Sequence, residues 1–185
     1  MSQIDYEINK ELGECYLFMG ELERARDYYQ KAIVCNGTIA EPYIGMAAVS
    51  LSEGDINGAY KLYTKANNVE TGPKPLTGMA MVEVELGMHD EAFAHYGQVL
   101  GYEPGNMLVL NNMLQLGYVL NRLEDMLPYL EAALEPGDTE AVRYALAGCL
   151  TNLGRDEEAK EHLEILLQEN PSNGVAQQLY AQFAA

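Results

Sequence analysis

Apolar residues recur along almost the whole chain at separations of three, four and seven positions, with polar residues between them. This spacing puts an apolar stripe on one face of a helix, so it predicts a succession of amphipathic helices. A turn residue follows every other predicted helix, at steps of 34, 33, 34 and 33 positions: Gly20, Gly54, Gly87, Asn121 and Gly154. Glycine permits the left-handed conformation that ends a helix. A regular step of this length is typical of a helical repeat array.

Further positions recur at fixed distances from each turn residue. Upstream lies a large apolar residue followed by a small one: Leu12 and Gly13, Met46 and Ala47, Met79 and Ala80, Leu146 and Ala147. Downstream lie a small residue, a bulky one and another apolar one: Ala25, Ala59, Ala92 and Ala159; Tyr29, Tyr63, Tyr96, Leu130 and Leu163; Ala32, Ala66, Val99, Ala133 and Leu166. We expect the small residues to allow close helix approach, and the bulky one to fill the gap between successive helix pairs.

These positions together resemble the tetratricopeptide repeat, a helix–turn–helix unit of about 34 residues. The resemblance implies an all-α fold, a right-handed superhelical solenoid of antiparallel helix pairs. We place the repeats, within a single domain over 1–185, at about 6–39, 40–72, 73–106, 107–139 and 140–173, with a short C-terminal helix at about 174–184. No repeat carries the tryptophan of the family; its position holds Asn9, Tyr43, Leu76, Leu110 and Arg143.

The fourth repeat departs most from the pattern. It has Leu114 where a small residue is usual, Asn121 for the turn glycine and Met126 for alanine. Pro128 falls inside its second predicted helix, where the missing N–H and the ring should kink that helix or delay its start. We interpret these changes as drift in buried positions; a hinge is the alternative.

The charge of the chain limits the class of partner. The formal net charge is −17, and the acidic excess is spread over all the predicted repeats. Phosphate backbones are bound through Lys and Arg, so neither nucleic acid nor an anionic membrane surface is an expected partner. A basic or amphipathic protein segment would be attracted instead, and the alternative is simply a solvated surface. The chain has no membrane-spanning apolar run and no signal-peptide layout at its start, so we expect a cytoplasmic protein.

Residues that could carry chemistry have simpler explanations. Cys15 and Cys149 share a position with three apolar residues of the other repeats, which predicts two buried thiols: Val49, Val82 and Leu116. The histidines are not at metal-ligand spacing and are expected to be exposed or half-buried: His89, His95 and His162. Glu83 and Glu85 are interpreted as exposed helix positions. The chain has no phosphate-binding loop and no nucleophile motif, so we expect no enzyme activity, no cofactor and no metal.

The resemblance also implies a binding surface, because first helices line the concave face in this family and ligand peptides usually lie there. The phase of the repeat places ten candidate groove residues: Lys10, Phe18, Leu51, Met81, Leu108, Asn111, Gln115, Tyr118, Tyr144 and Asn152. Only Lys10 matches the carboxylate clamp that some members use, so that binding mode is disfavoured. Apolar anchors and side-chain amides suit a peptide backbone instead. Alternatively, some of these side chains pack into the core or on neighbouring first helices: Leu17, Leu51, Val84 and Val119.

The leading functional hypothesis is therefore an adaptor or scaffold. It would bind an extended or helical peptide segment of another protein, possibly basic or amphipathic, in its concave groove. Two alternatives stay open at this point. One is a secretion- or assembly-type chaperone for an export or complex subunit, and the other is a structural scaffold that assembles with copies of itself into a homo-oligomer.

Overall fold

The computed structural model describes residues 3–134 and 139–184, which form helices and turns and contain no strand. The all-α class predicted from the sequence is therefore confirmed over these ranges. Contacts divide the chain into two compact units, Met1–Tyr102 and Glu103–Ala185, and each unit is described by itself. The grouping of the repeats into a single domain stays a prediction.

The first unit consists of three antiparallel helix pairs. The first helices of the pairs are α1 (Gln3–Phe18), α3 (Glu41–Ser52) and α5 (Pro73–Glu85). The second helices are α2 (Leu22–Cys35), α4 (Ile56–Val69) and α6 (His89–Tyr102). Helices of a pair contact each other, and each of the second helices α2 and α4 also packs on the first helix that follows it. This is the stacking that the repeat pattern predicts.

The second unit continues the same alternation, with an extra helix at its end. Its helices are α7 (Met107–Val119), α8 (Leu127–Leu134), α9 (Glu140–Asn152), α10 (Asp156–Glu169) and α11 (Gly174–Ala181). Short 3₁₀ segments precede α8 and follow α11, at Glu124–Met126 and Gln182–Ala184. Asn106, Thr139 and Asn173 cap α7, α9 and α11, because each side chain accepts a hydrogen bond from the backbone N–H three residues on.

Every first helix of a pair ends in the same left-handed turn. The turn residues have positive φ angles of 75°, 80°, 75°, 55° and 73°, in the order Gly20, Gly54, Gly87, Asn121 and Gly154. The residue after each turn residue donates its N–H to a carbonyl five positions back, as Glu21 does to Tyr16 at 2.9 Å. This hydrogen bond belongs to the Schellman motif, which satisfies a carbonyl at the helix end. The predicted role of the turn residue is confirmed, and asparagine fills it in one repeat.

The predicted small and bulky positions form the core. Tyr29 and Tyr63 are buried, and their rings lie against glycines of the first helices. A Cβ at Gly13 would lie 2.7 Å from the Tyr29 ring, and one at Gly45 of the next helix would overlap the same ring. A Cβ at Gly78 would likewise overlap Tyr63. The tyrosine thus fills the space between successive pairs, as predicted, and glycine at the contact point is what allows the helices to lie so close.

The irregular fourth repeat keeps its buried positions. Helices α2 and α4 begin two residues after their turn glycines, whereas α8 begins only at Leu127, one residue before Pro128. The predicted delay of this helix is confirmed, and a 3₁₀ turn occupies the intervening residues. Met126, in the alanine position, is fully buried. It lies against Gly117, where a Cβ would be 2.9 Å from its Cγ, so the larger side chain is accommodated by a smaller neighbour.

Two predictions of burial are wrong. Cys149 is buried as expected, but Cys15 is exposed, because no helix of the described residues packs on that face of α1. Glu83, predicted to be exposed, is fully buried. Its position, four residues before the turn, lies between α4 of the preceding pair and α6 of its own pair, and Ser50 is buried at the same position of the preceding repeat. The Tyr60 hydroxyl donates to Glu83 at 3.2 Å, and His95 Nδ1 lies 2.7 Å from its other oxygen, so the buried carboxylate is paired.

We expect a side chain at a turn glycine to lower the stability of the fold. Gly54→Ala should lower the free energy of unfolding by about 1–2 kcal/mol, because a residue with a Cβ is strained in the left-handed conformation. A Cβ at Gly54 would meet no atom within 4 Å, so the cost comes from the backbone alone. Urea unfolding followed by far-ultraviolet circular dichroism measures it.

The matched control is Gly101→Ala. Gly101 lies within α6 at a position without positive φ, and a Cβ there would also meet no atom within 4 Å. Alanine is the better residue inside a helix, so this change should raise stability by about 0.5–1 kcal/mol. Changes of the same sign in both variants would contradict the assignment of the turn.

The two cysteines of the shared position should differ in reactivity. Burial raises the pKa of the Cys149 thiol to about 11, while Cys15 is exposed. Because the thiolate is the reactive form, N-ethylmaleimide near neutral pH should modify Cys15 quickly and leave Cys149 unmodified in the folded chain. Peptide mass spectrometry reads out both sites, and the urea-unfolded chain is the control in which both react. Equal rates in the folded chain would show that Cys149 is not buried.

Candidate functional site

The ten predicted groove residues fall in both units. Lys10, Phe18, Leu51 and Met81 belong to the first unit, and the second unit contains the other six: Leu108, Asn111, Gln115, Tyr118, Tyr144 and Asn152. All ten lie on the first helices of pairs. Whether they form one binding surface stays a prediction, and the geometry of each unit is given separately below.

In the first unit the predicted residues have different surroundings. Phe18 is 94% exposed and Met81 is also exposed, so both present apolar surface to solvent. Leu51 is half-buried and packs on the cluster formed by Ala47 and Tyr63, which is the alternative packing role considered for it. Leu17 likewise packs against the core cluster around Tyr29.

Lys10 does not stand alone as a positive charge. Its ammonium group lies 3.0 Å from a Glu11 carboxylate oxygen and 3.6 Å from one of Glu7. The hydrogen bond to Glu11 raises the pKa of Lys10 further above its ordinary value, so the side chain stays charged. Since two carboxylates of the same helix already neutralise it, Lys10 is a poor centre for binding the carboxylate of a ligand.

In the second unit, α7, α9 and the C-terminal segment enclose a groove of about 540 Å³. Its lining consists of uncharged residues: Asn111, Leu114, Tyr118, Ala141, Tyr144, Ala145, Gly148, Thr151, Asn152, Leu179 and Gln182. Four of the predicted residues are among them. The other two of this unit, Leu108 and Gln115, are exposed but lie outside the lining.

Tyr118 extends across the floor of this groove towards α9. Its hydroxyl donates a hydrogen bond to the sulphur of the buried Cys149. Burial is the main cause that raises the pKa of Tyr118, and the neighbouring Cys149 raises this pKa further. Beside that contact lies Gly148, where a Cβ would be 3.9 Å from the Tyr118 hydroxyl. The hydrogen bond fixes one end of the ring while 48% of the residue remains exposed. Tyr118 is therefore a preorganised aromatic surface.

Polar groups at the groove edge come from the last turn of α9. The Thr151 hydroxyl donates to the Ala147 carbonyl at 2.8 Å, and the Asn152 amide donates to the Gly148 carbonyl at 2.8 Å. An amide carries two N–H donors and an acceptor oxygen, so Asn152 retains hydrogen-bonding capacity after this intrahelical bond. With Asn111 on α7 and Asn152 on α9, side-chain amides flank the two tyrosine rings.

One wall of the groove was not predicted. Leu179 and Gln182 come from the C-terminal segment, for which the sequence predicts only a short terminal helix. α11 begins at Gly174, one repeat step after α9 begins at Glu140, so it occupies the position of a further first helix. Buried Ala176 packs it on the preceding pair. Continuing the repeat step past the last turn glycine would have identified this wall.

Sites of other kinds were searched in the same residues. Within 3–134 and 139–184, no group of three or more His, Cys, Asp or Glu side chains is arranged to hold a metal ion. The three histidines are half-buried, as predicted: His89, His95 and His162. None of the helices in those ranges has the length and apolar character needed to cross a membrane.

Comparison with known proteins agrees with the helix pairs. Two family models described as tetratricopeptide repeat match residues 7–33 and 123–183. A curated relative, the BBSome complex member BBS4 of Bos taurus, is 32% identical over 121 residues, which are 62% of this chain and 23% of that protein. The chain therefore spans about a quarter of the length of this curated relative.

Solved structures share the fold at low sequence identity. YrrB, described as a TPR protein with an unusual peptide-binding site, superimposes with a TM-score of 0.66 at 18% identity, covering 92% of this chain and 89% of that one. The first TPR of Spaghetti (RPAP3), bound to the HSP90 peptide SRMEEVD, has a TM-score of 0.61 at 20% identity, covering 65% of this chain and 97% of that one.

The positive-φ turns and the buried small and bulky positions recur at the repeat step, and both matching family models describe the tetratricopeptide repeat. The chain belongs to the tetratricopeptide repeat family.

Proposed function

We propose that this chain is a protein-interaction module that binds a peptide segment of a partner protein in the groove of its second unit. The observation that supports this most directly is the groove of about 540 Å³ between α7, α9 and the C-terminal segment, lined by Asn111, Tyr118, Tyr144 and Asn152. Proteins of this family are generally interaction modules rather than enzymes. The proposed role is therefore binding of a partner and not catalysis.

The chemistry of the lining suits an uncharged stretch of peptide. Tyr118 and Tyr144 offer apolar faces with little side-chain entropy to lose, and aromatic residues are frequent anchors at interfaces. Asn111 and Asn152 offer amide groups that can pair with the N–H and C=O groups of an extended backbone. The expected ligand segment therefore carries one or two apolar side chains, and its backbone supplies the polar contacts.

The charge of the chain favours a different peptide from the one in the Spaghetti structure. The HSP90 peptide SRMEEVD bound there contains three acidic residues. The present chain has a net charge of −17, its second-unit groove has no charged lining residue, and Lys10 in the first unit is already paired with glutamates. An acidic peptide would be repelled at long range, so a neutral or basic segment is the expected ligand.

Removing the aromatic and amide contacts should weaken binding without affecting the fold. A peptide selected from a phage-displayed library against the wild-type chain serves as the probe, and fluorescence anisotropy measures its dissociation constant. We expect Tyr118→Ala combined with Asn111→Ala to weaken binding at least about tenfold, because a central aromatic anchor typically contributes more than about 1.4 kcal/mol.

Tyr102→Ala is the matched control for this experiment. Tyr102 lies at the end of α6, outside the groove lining, and is 58% exposed, close to the 48% of Tyr118. Its removal should leave the affinity unchanged, and circular dichroism should show equal helix content in all variants. A selected peptide that binds the double variant as tightly as the wild type would exclude this groove as the binding site.

A second experiment fills the groove instead of removing contacts. Gly148 lies inside α9 on the groove floor, and a leucine there would project between α9 and the Tyr118 ring. Gly148→Leu should retain the helix and weaken binding of the selected peptide at least about tenfold, since the volume for an anchor is lost. Gly148→Ala adds one methyl group and should raise stability by about 0.5–1 kcal/mol with little change in affinity. Unchanged affinity in the leucine variant would argue against occupation of this groove.

A further inference from the structure

An apolar row lies on α1, on the face that points away from its partner helix α2. We call Ile4, Ile8 and Cys15 of α1, together with Met19 directly after the helix end, the α1 stripe; all four are exposed. They are separated by four, seven and four positions, which puts them on one side of the helix. The buried residues of α1, Tyr6 and Gly13, lie on the opposite side. The stripe therefore makes no contribution to the core of the first helix pair.

The two central positions of the stripe are buried in the next repeat, whereas those of Ile4 and Met19 correspond to exposed Thr38 and Glu53. Val49 of α3, equivalent to Cys15, is fully buried in a cluster with Ala25 and Tyr29 of the preceding second helix. Pro42, equivalent to Ile8, is buried as well. The centre of the α1 stripe, at Ile8 and Cys15, therefore corresponds to a surface that is buried in the next repeat. At about 1.5 Å per residue, α1 offers a length of about 24 Å, enough for a helix of about four turns.

The charge of the stripe argues against a second helix of the usual repeat type. Glu11 lies in the middle of the stripe, at the position where α3 and α5 have Gly45 and Gly78 to receive a tyrosine ring. Glu7 and Glu14 extend the row of exposed carboxylates along one edge. A tyrosine from an ordinary repeat would therefore meet a carboxylate. Lys10 pairs with Glu7 and Glu11, but its single ammonium group against the three carboxylates leaves a local charge of −2 (three negative, one positive), which a lysine or arginine of a partner would offset.

The net charge of −17 also argues against a second copy of the chain, since two copies packed through α1 would bring their glutamates together. We propose that the α1 stripe and its row of glutamates are a docking surface for a basic amphipathic helix of another protein. The apolar side chains of that helix cover Ile4, Ile8, Cys15 and Met19, and its lysines or arginines face Glu11 and its neighbours. This surface is separate from the groove of the second unit.

The test uses a fluorescein-labelled synthetic peptide of 18 residues with leucine and lysine in a helical pattern, compared with a peptide in which glutamate replaces lysine. Fluorescence anisotropy should show binding of the lysine peptide and not of the glutamate peptide. Ile8→Asp should weaken binding of the lysine peptide at least about tenfold, because a charge then replaces a central apolar contact. Glu11→Lys should weaken it about fivefold and introduce binding of the glutamate peptide.

Two controls match these variants. Val175→Asp changes an apolar residue of α11 that is 56% exposed, compared with 53% for Ile8, and Glu169→Lys changes the net charge as Glu11→Lys does. Both should bind the lysine peptide as the wild type does. The bound peptide should also slow the reaction of Cys15 with N-ethylmaleimide, a local readout that binding elsewhere would not change.

Three results would overturn the proposal. One is a failure of the wild-type chain to bind the lysine peptide, or equal binding of the glutamate peptide. Another is affinity that drops in Tyr118→Ala but not in Ile8→Asp, which would place the peptide in the groove. The third is a dimer of the wild-type chain in sedimentation equilibrium that Ile8→Asp converts to a monomer, which would make a second copy the occupant.

Discussion

The close approach of successive helices around one bulky side chain per repeat is the constraint on which the fold depends. In the first unit, the Tyr29 ring fills the space between Gly13 of its own pair and Gly45 of the next. A Cβ at either glycine would collide with the ring. The large tyrosine side chain therefore fits only because both facing positions have no side chain. This contact, together with the left-handed turn of each pair, determines which residues of a first helix face the core and which face solvent.

The irregular fourth repeat shows how much variation this constraint allows. Met126 replaces the usual alanine, and Gly117 on the facing helix leaves the space for it. Pro128 shortens the second helix at its start, and a 3₁₀ turn replaces the lost helical turn without exposing Met126. The total side-chain volume at this contact is kept, and only its distribution between the two facing positions changes. Packed cores tolerate exchanges of this kind.

Much of the fold could be predicted from the sequence because each repeat provides an independent copy of the same physical requirement. Positive φ at the turn and burial of the small positions follow from the glycines and alanines alone. The wrong predictions of burial concern residues whose surroundings differ from those of the equivalent residues in the other repeats. Cys15 is exposed because no helix among the described residues covers the face equivalent to that of buried Val49. For Glu83, the prediction followed from its charge and not from its position in the repeat.

The candidate groove was likewise only partly predictable from the sequence. Tyr118, Tyr144 and the amides could be located from the phase of the five predicted repeats, whereas Leu179 and Gln182 lie beyond the last complete repeat and are located only when the repeat step is continued past Gly154. The hydrogen bond from Tyr118 to Cys149 links two positions that the sequence explained separately, one as a surface residue and one as a buried thiol. The hydroxyl end of this partly exposed ring thus lies against a buried thiol of α9. The chain therefore presents two chemically different surfaces, an uncharged aromatic groove built on α7 and α9 and an apolar stripe with carboxylates on α1, and the residues that distinguish them are those in which a repeat departs from its neighbours.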